Sequence, residues 1–289
     1  MRKNSTEKEN YKKEKKNLKN QKKSAKKSKK QIKNEQIIEK EYYFGHKDDE
    51  NIWTSFLTET MFAHRGLWNK ECPENSLAAF KNAMENGYGI ELDVNTIEDG
   101  TPVIFHDSKM SRMTGKDKYI QNLSKEELEH IKLLDSEEKV PTLEEVLKLV
   151  KGKVPLLIEI KNQEKVGPLE RRVLDLLKNY KGEYAIQSFN PYTLRWFYEH
   201  APKIWRGQLA SYFKGEKLSI FKKLILRKLG MKKFTAHNFV SYDISNLPNR
   251  FTKKLEVPLL SWTIKNQDNY YKALQYSDNV IFEGFEPKI

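Results

Sequence analysis

Residues 90–107 read Ile90-Glu91-Leu92-Asp93-Val94-Asn95-Thr96-Ile97-Glu98-Asp99-Gly100-Thr101-Pro102-Val103-Ile104-Phe105-His106-Asp107. Two apolar runs of strand length, 90–94 and 103–106, lie too close together for a helix to connect them. The link is therefore not a crossover between parallel strands. Asp99-Gly100 reads as a two-residue hairpin turn. Centred there, the pairing matches positions that sum to 199 and sets His106 opposite Asp93.

Outward from this stretch, short apolar runs recur at 61–66, 155–160, 184–189, 204–210, 239–242, 259–264 and 279–282. With 90–94 these make eight strand-like runs, and 103–106 is an extra. Helical periodicity fills many of the gaps, at 74–85, 143–150, 169–179, 191–199 and 266–275. Strand–helix alternation predicts a parallel sheet. Eight repeats in roughly 230 residues predict a closed (β/α)8 TIM barrel rather than an open sheet, with a hairpin inserted after the second strand.

The runs also deliver chemistry. Glu91 and Asp93 are two apart on a strand and share a face, and Glu159 and Lys161 repeat that spacing. Three carboxylates converging inside a barrel repel one another unless a proton or a cation intervenes. A hard divalent ion, Mg²⁺ or Ca²⁺, suits oxygen ligands; structural ion pairs with Lys161 and Arg65 are the other reading. The first run ends Phe62-Ala63-His64-Arg65-Gly66, so His64 and His106 both stand at strand ends, where a barrel carries its active site. Two groups that titrate near neutrality suit acid–base catalysis. Arg65 offers a two-pronged fork for phosphate oxygens. Together these capacities suit cleavage of a phosphate ester. His46, His130, His200 and His237 lack comparable neighbours and read as surface or packing residues.

The formal charge of +13 is concentrated at one end. Residues 1–40 hold 16 Lys/Arg against 5 Asp/Glu, +11 of the total, which leaves +2 for the other 249 residues. A lysine-rich, low-complexity tail over 1–45 followed by a folded domain over 60–289 is the expected division. Such a tail buries too little apolar surface to offset its ordering entropy, and is expected to be disordered or a loose helix. It reads as a solubilising arm or as an electrostatic tether to anionic lipid. Residues 12–41 contain no aromatic to stack on bases, so nucleic acid is not an expected partner. Residues 213–233 form a second basic stretch, interleaved with Leu218, Phe221, Leu224, Ile225 and Leu229. This segment reads either as an outer barrel helix or as a lipid-facing element. The single cysteine, Cys72, excludes an internal disulfide. No run approaches the length of a membrane span, and no apolar signal core is present. The expectation is a cytoplasmic protein able to sit at the inner membrane face.

Taken together, HRG at 64–66, PENS at 73–76, ExD at 91–93, TxxDGxxVxxHD at 96–107, PTLEEVL at 141–147 and ExK at 159–161 resemble the glycerophosphodiester phosphodiesterase family. Gln187-Ser188-Phe189 and Trp262-Thr263 fit its later strands. The resemblance spans about residues 60–285. It implies hydrolysis of glycerophosphodiesters to sn-glycerol 3-phosphate and an alcohol, with a divalent cation. By carry-over, His64 and His106 are the acid–base pair, Glu91, Asp93 and Glu159 hold the metal, and Arg65 and Lys161 bind phosphate. Gln187 and Trp262 would contact substrate. The implied route begins with attack by the glycerol's own hydroxyl, and water then opens the cyclic phosphate. The alternatives are a phospholipase acting on intact or lyso-phospholipids at a membrane surface, and a non-enzymatic binder of anionic surfaces. Three features depart from the family: Glu283 stands where an aspartate is usual, the chain stops at Ile289 before a full closing helix, and the basic stretch 213–233 is added.

Overall fold

Eight parallel strands close on themselves in the computed structural model, which describes residues 44–47, 49–162, 165–215 and 219–288. The strands are β1 (Phe62–His64), β2 (Gly89–Thr96), β4 (Leu156–Ile160), β5 (Tyr184–Ser188), β6 (Arg206–Ala210), β7 (Phe239–Asp243), β8 (Leu259–Ile264) and β9 (Asn279–Phe282), with β3 (Pro102–Ile104) added antiparallel to β2. β1 pairs with both β2 and β9, so the (β/α)8 barrel is complete. Among the described residues no helix follows β9, and the seam is made by the strands themselves. Phe62 pairs with Ile281 and Ala63 with Phe282. The chain beyond is pinned to the preceding helix, where Gln267 and Lys288 exchange two hydrogen bonds of 2.9 and 3.0 Å.

Helices α1 (Leu77–Glu85), α2 (Leu143–Val150), α3 (Pro168–Leu177), α4 (Pro191–His200), α5 (Ile220–Arg227) and α6 (Gln267–Leu274) lie between strands. The second shows how sequence sets them. Thr142 caps it, with Thr142 Oγ1 accepting from the Glu145 amide while the Glu145 carboxylate accepts from the Thr142 amide. Leu143, Val146, Leu147 and Val150 follow at helical spacing, and all four are buried. Removing that cap as Thr142→Ala would cost about 1 kcal/mol. α5 differs: it has the same apolar periodicity but buries no residue fully.

The barrel's lower interior is solid. Phe62, Leu157, Ala185, Phe239, Leu260 and Ile281 pack together there and are backed by Phe56, Leu57 and Trp205. The Phe239 ring lies over Gly207, where a β-carbon would stand 2.1 Å from it. The packed fold begins before the expected start at 60. Gly45 accepts a hydrogen bond from the Tyr184 amide (2.9 Å), and His46 stacks on Trp205 at 4.1 Å. The rest of the basic tail, residues 1–43, lies outside the described residues.

The hairpin differs from its expected register by one residue. Val94 pairs with Ile104, Asn95 with Val103 and Thr96 with Pro102. The turn has three residues, Glu98-Asp99-Gly100, closed by the Ile97 amide on the Thr101 carbonyl, with Gly100 left-handed at φ 82°. A type I turn needs that extra left-handed residue to match the strand twist, and glycine supplies it without strain. Phe105, not His106, therefore faces the Asp93 backbone, and its amide bonds the Asp93 carbonyl at 2.9 Å.

Candidate active site

Inward-facing positions at the upper end of the barrel are polar and register-matched. His64 sits beside Glu91 across β1–β2, Asp93 beside Glu159 across β2–β4, and Glu159 beside Gln187 across β4–β5. A cavity of about 370 Å³ opens over them, lined among others by His64, Arg65, His106, Lys161 and Trp262. Asp93 lies fully buried beneath it. All nine site residues expected from the sequence thus meet at one cleft. A larger groove of about 890 Å³ lies outside the barrel, against Glu137, Glu138, Lys139 and Arg172, and no histidine lines it.

One oxygen each from Glu91, Asp93 and Glu159 lies within 4.8 Å of the other two. Asp93 is well answered. Lys161 Nζ lies 3.1 Å and Arg65 Nε 3.2 Å from it, and Asn75 Nδ2 donates to it at 2.9 Å. Burial opposes its ionisation, yet Lys161, His106, Arg65 and His64 together hold its carboxyl far below the usual range. Glu91 is not so answered. It receives the Arg65 backbone amide at 3.2 Å and the Gln187 side-chain Nε2 at 3.2 Å, and His64 Nε2 stands 3.9 Å away. Burial first, then the charges of Asp93 and Glu159, push its pKa well up. Glu159 is raised to about 7, chiefly by burial, although Lys161 lies 2.7 Å away. Asp93 Oδ1 is buried with the Lys161 ammonium beside it at 3.1 Å but accepts no well-formed hydrogen bond. A trio of buried oxygens that resists carrying its full charge is a donor set that fits a hard divalent cation.

The two histidines are held alike. His106 Nδ1–H donates to Asp107 Oδ1 at 2.6 Å, and Arg112 Nε donates to Asp107 Oδ2 at 2.6 Å. His64 Nδ1–H donates to Glu283, whose other oxygen lies 2.6 Å from Lys265 Nζ. A carboxylate on Nδ1 fixes the ring and leaves Nε2 as the working nitrogen. Burial opposes ionisation of Glu283, but His64 and then Lys265 pull its pKa down to about 2. Burial, then Lys161 and Arg65, lower the His106 pKa against the pull of Asp93 and Asp107.

Behind this runs a second layer that the sequence reading does not single out. Arg112 bonds both oxygens of Glu74, at 2.6 and 3.0 Å, and Glu74 accepts from Arg65 Nη1 at 2.7 Å. The Asn75 side chain grips Asp93 twice, its Nδ2 donating to the Asp93 carboxylate and its Oδ1 accepting from the Asp93 backbone amide. Ser76 caps α1. The PENS motif thus holds a cation, holds an acid and starts a helix in consecutive residues. Arg65 and Asn75 both adopt left-handed backbone, at φ 60° and 59°. Such conformations are costly for non-glycine residues and persist where packing enforces them. The motif was the available signal for Glu74 and Asn75. No local pattern marks Arg112 or Lys265.

A profile of the Glycerophosphoryl diester phosphodiesterase family matches residues 64–282. The glycerophosphodiester phosphodiesterase of Caldanaerobacter subterraneus subsp. tengcongensis is 34% identical over 244 residues, 79% of this chain and 96% of the relative. Among solved structures, the glycerophosphodiester phosphodiesterase of Thermotoga maritima aligns with a TM-score of 0.61 and 26% identity, over 78% of this chain and 94% of its own. An Oleispira antarctica phosphodiesterase, solved with the product sn-glycerol-3-phosphate, aligns with a TM-score of 0.67 and 23% identity, over 78% and 93%. The chain belongs to the glycerophosphoryl diester phosphodiesterase family.

Proposed function

We propose that this protein hydrolyses glycerophosphodiesters to sn-glycerol 3-phosphate and an alcohol by acid–base catalysis between His64 and His106. One observation carries the reading. Two imidazoles, each fixed through Nδ1 by a carboxylate with a cation behind it, share a cleft with three buried acids.

In this reading one Nε2 takes the proton of the attacking hydroxyl, and the other protonates the departing alkoxide. Each role is worth roughly 10²–10⁴ in rate. When the attacking group is the glycerol's own hydroxyl, the first step forms a cyclic phosphate and releases the alcohol. Water opens the ring in the second step, with the two histidines exchanging roles. Arg65 and Lys161 neutralise the phosphate oxygens from either side of Asp93. Glu91, Asp93 and Glu159 would hold a divalent cation, Mg²⁺ or Ca²⁺, which when bound polarises the phosphoryl group and offsets developing charge. Gln187, anchored by Ser241 at 2.8 Å, and Trp262 would border the glycerol.

The test is release of sn-glycerol 3-phosphate from a panel of glycerophosphodiesters and one lysolipid, with and without added Mg²⁺ or Ca²⁺. Release from none of them would reject the reading. The competing choice of an acylated substrate at an anionic surface draws on the described part of residues 213–233, taken up below; residues 1–40 lie outside the described residues.

A further inference from the structure

α5 begins ten residues beyond the end of β6, at the end of the barrel where the cleft opens. Its apolar residues are packed only in part. Ile220 is 78% and Phe221 73% exposed, the two most exposed large apolar side chains described. Leu224, Ile225 and Leu226 are only half-buried. Residues 219–233 carry five lysines, one arginine and no acid. The helix is nevertheless anchored at its C-terminal end. Ser219 caps it, and the Arg227 carbonyl accepts from Tyr242 Oη at 3.0 Å. Arg227 lies over the rings of Tyr212 and Phe251.

The segment leading into the helix touches the cleft wall. The Phe213 ring is buried edge-on against Phe189 at 5.9 Å, and Phe189 stands edge-on to Trp262 at 5.6 Å. Phe189 and Trp262 both line the cavity. An exposed apolar end, in a stretch that carries no acid of its own, thus begins seven residues after Phe213, which meets the cleft wall through two edge-to-face ring contacts in series.

We propose that α5 is a docking element for an anionic lipid bilayer, with Ile220 and Phe221 entering the acyl region and Lys222, Lys223 and Lys228 lying among the headgroups. A helix that is apolar on one side, basic on the other and weakly packed is the form that lies in a membrane interface. Charge decides between occupants. A second copy of this chain would bring the same positive stretch against itself, whereas an anionic surface complements it, each basic residue contributing about fivefold in partition. Docking would set the mouth facing lipid and favour glycerophosphodiesters that still carry an acyl chain. Only that last consequence rests on the function proposed above.

The experiment uses the full chain with Phe221→Trp and vesicles whose acyl chains are brominated. On vesicles of equal phosphatidylglycerol and phosphatidylcholine, the added indole is quenched beyond the background of the native tryptophans; on pure phosphatidylcholine the excess is small. Contact through the basic tail alone produces no such excess, so its absence overturns the proposal. Ile220→Glu/Phe221→Glu should lose roughly tenfold in the salt-resistant part of binding. Unchanged binding also overturns it. A lipid-free dimer that the same double variant dissolves would assign the face to a second copy instead. Turnover of a water-soluble glycerophosphodiester without vesicles stays unchanged in that variant. A protein inactive there but still quenched would sink the proposed function and leave the docking element standing.

Discussion

His64 and His106 have matching environments built by opposite means. His106 bonds the very next residue, Asp107, and the Arg112 behind it lies one short turn away. His64 bonds Glu283, 219 residues later, and that contact exists only because β9 closes against β1. One half of the cleft is local and depends on a hairpin; the other depends on the whole ring of strands. Chemistry that needs both histidines therefore reports on closure of the barrel.

The broadest way to break the comparison removes what both halves share. Chelation of divalent cations is expected to abolish turnover, and added Mg²⁺ or Ca²⁺ to restore it; a rate indifferent to chelator would discard the cation role of Glu91, Asp93 and Glu159. Next come His64→Ala and His106→Ala, each expected to lose roughly 10²–10⁴ in kcat with the circular dichroism spectrum unchanged. A large loss in only one would show that the two halves are unequal partners. Glu283→Gln and Asp107→Asn sharpen the contrast. Each keeps an acceptor for the imidazole while removing its charge, and each should lower kcat by about 10–100-fold with little change in KM. The barrel-dependent pair should also respond to heat, with the Glu283→Gln penalty growing faster towards the melting transition.

The smallest effect is on stability in acid. The Glu283 carboxyl, ordinarily near 4.5, is held at about 2 by His64 and Lys265. Its folded pKa lies below its unfolded one, so its contribution is present above about pH 4.5 and is lost as pH falls towards 2. Denaturant titrations between pH 5 and 2.5 should show wild type losing more stability than Glu283→Gln over that window. Parallel curves would remove the ion pair from the account. Asp107 is also depressed, with burial opposing and Arg112 and His106 outweighing it, so Asp107→Asn should follow the same direction.

Local spacing was enough to find the barrel, its five main helical stretches and seven of the nine residues that meet at the cleft; Gln187 and Trp262 came only through the resemblance. Alternation places Glu91 with Asp93 and Glu159 with Lys161 on one face, and those faces converge as expected. The hairpin register was off by one because two-residue and three-residue turns share the Asp-Gly signal. The misreading left His106 in the cleft because β3 ends at Ile104 and releases the next two residues from strict alternation. The supports were harder to read. Arg112 sits in a short helical turn and Lys265 in a loop after β8, and nothing in their neighbours marks them. Glu283 stood out only as a departure from the family; its reach to His64 is a property of the closed sheet. For residues 213–233, periodicity could not separate a packed helix from a surface one, because that depends on whether a partner face exists.

The packed floor of the barrel has a consequence for traffic. With Phe62, Phe239 and their neighbours sealing one end, the cleft opens at the other end among the described residues. On the proposed reaction both products would leave the way the substrate came in, and a long alcohol would trail outward through that opening. Chain length of the leaving group should then be tolerated freely, while bulk next to the phosphorus should not.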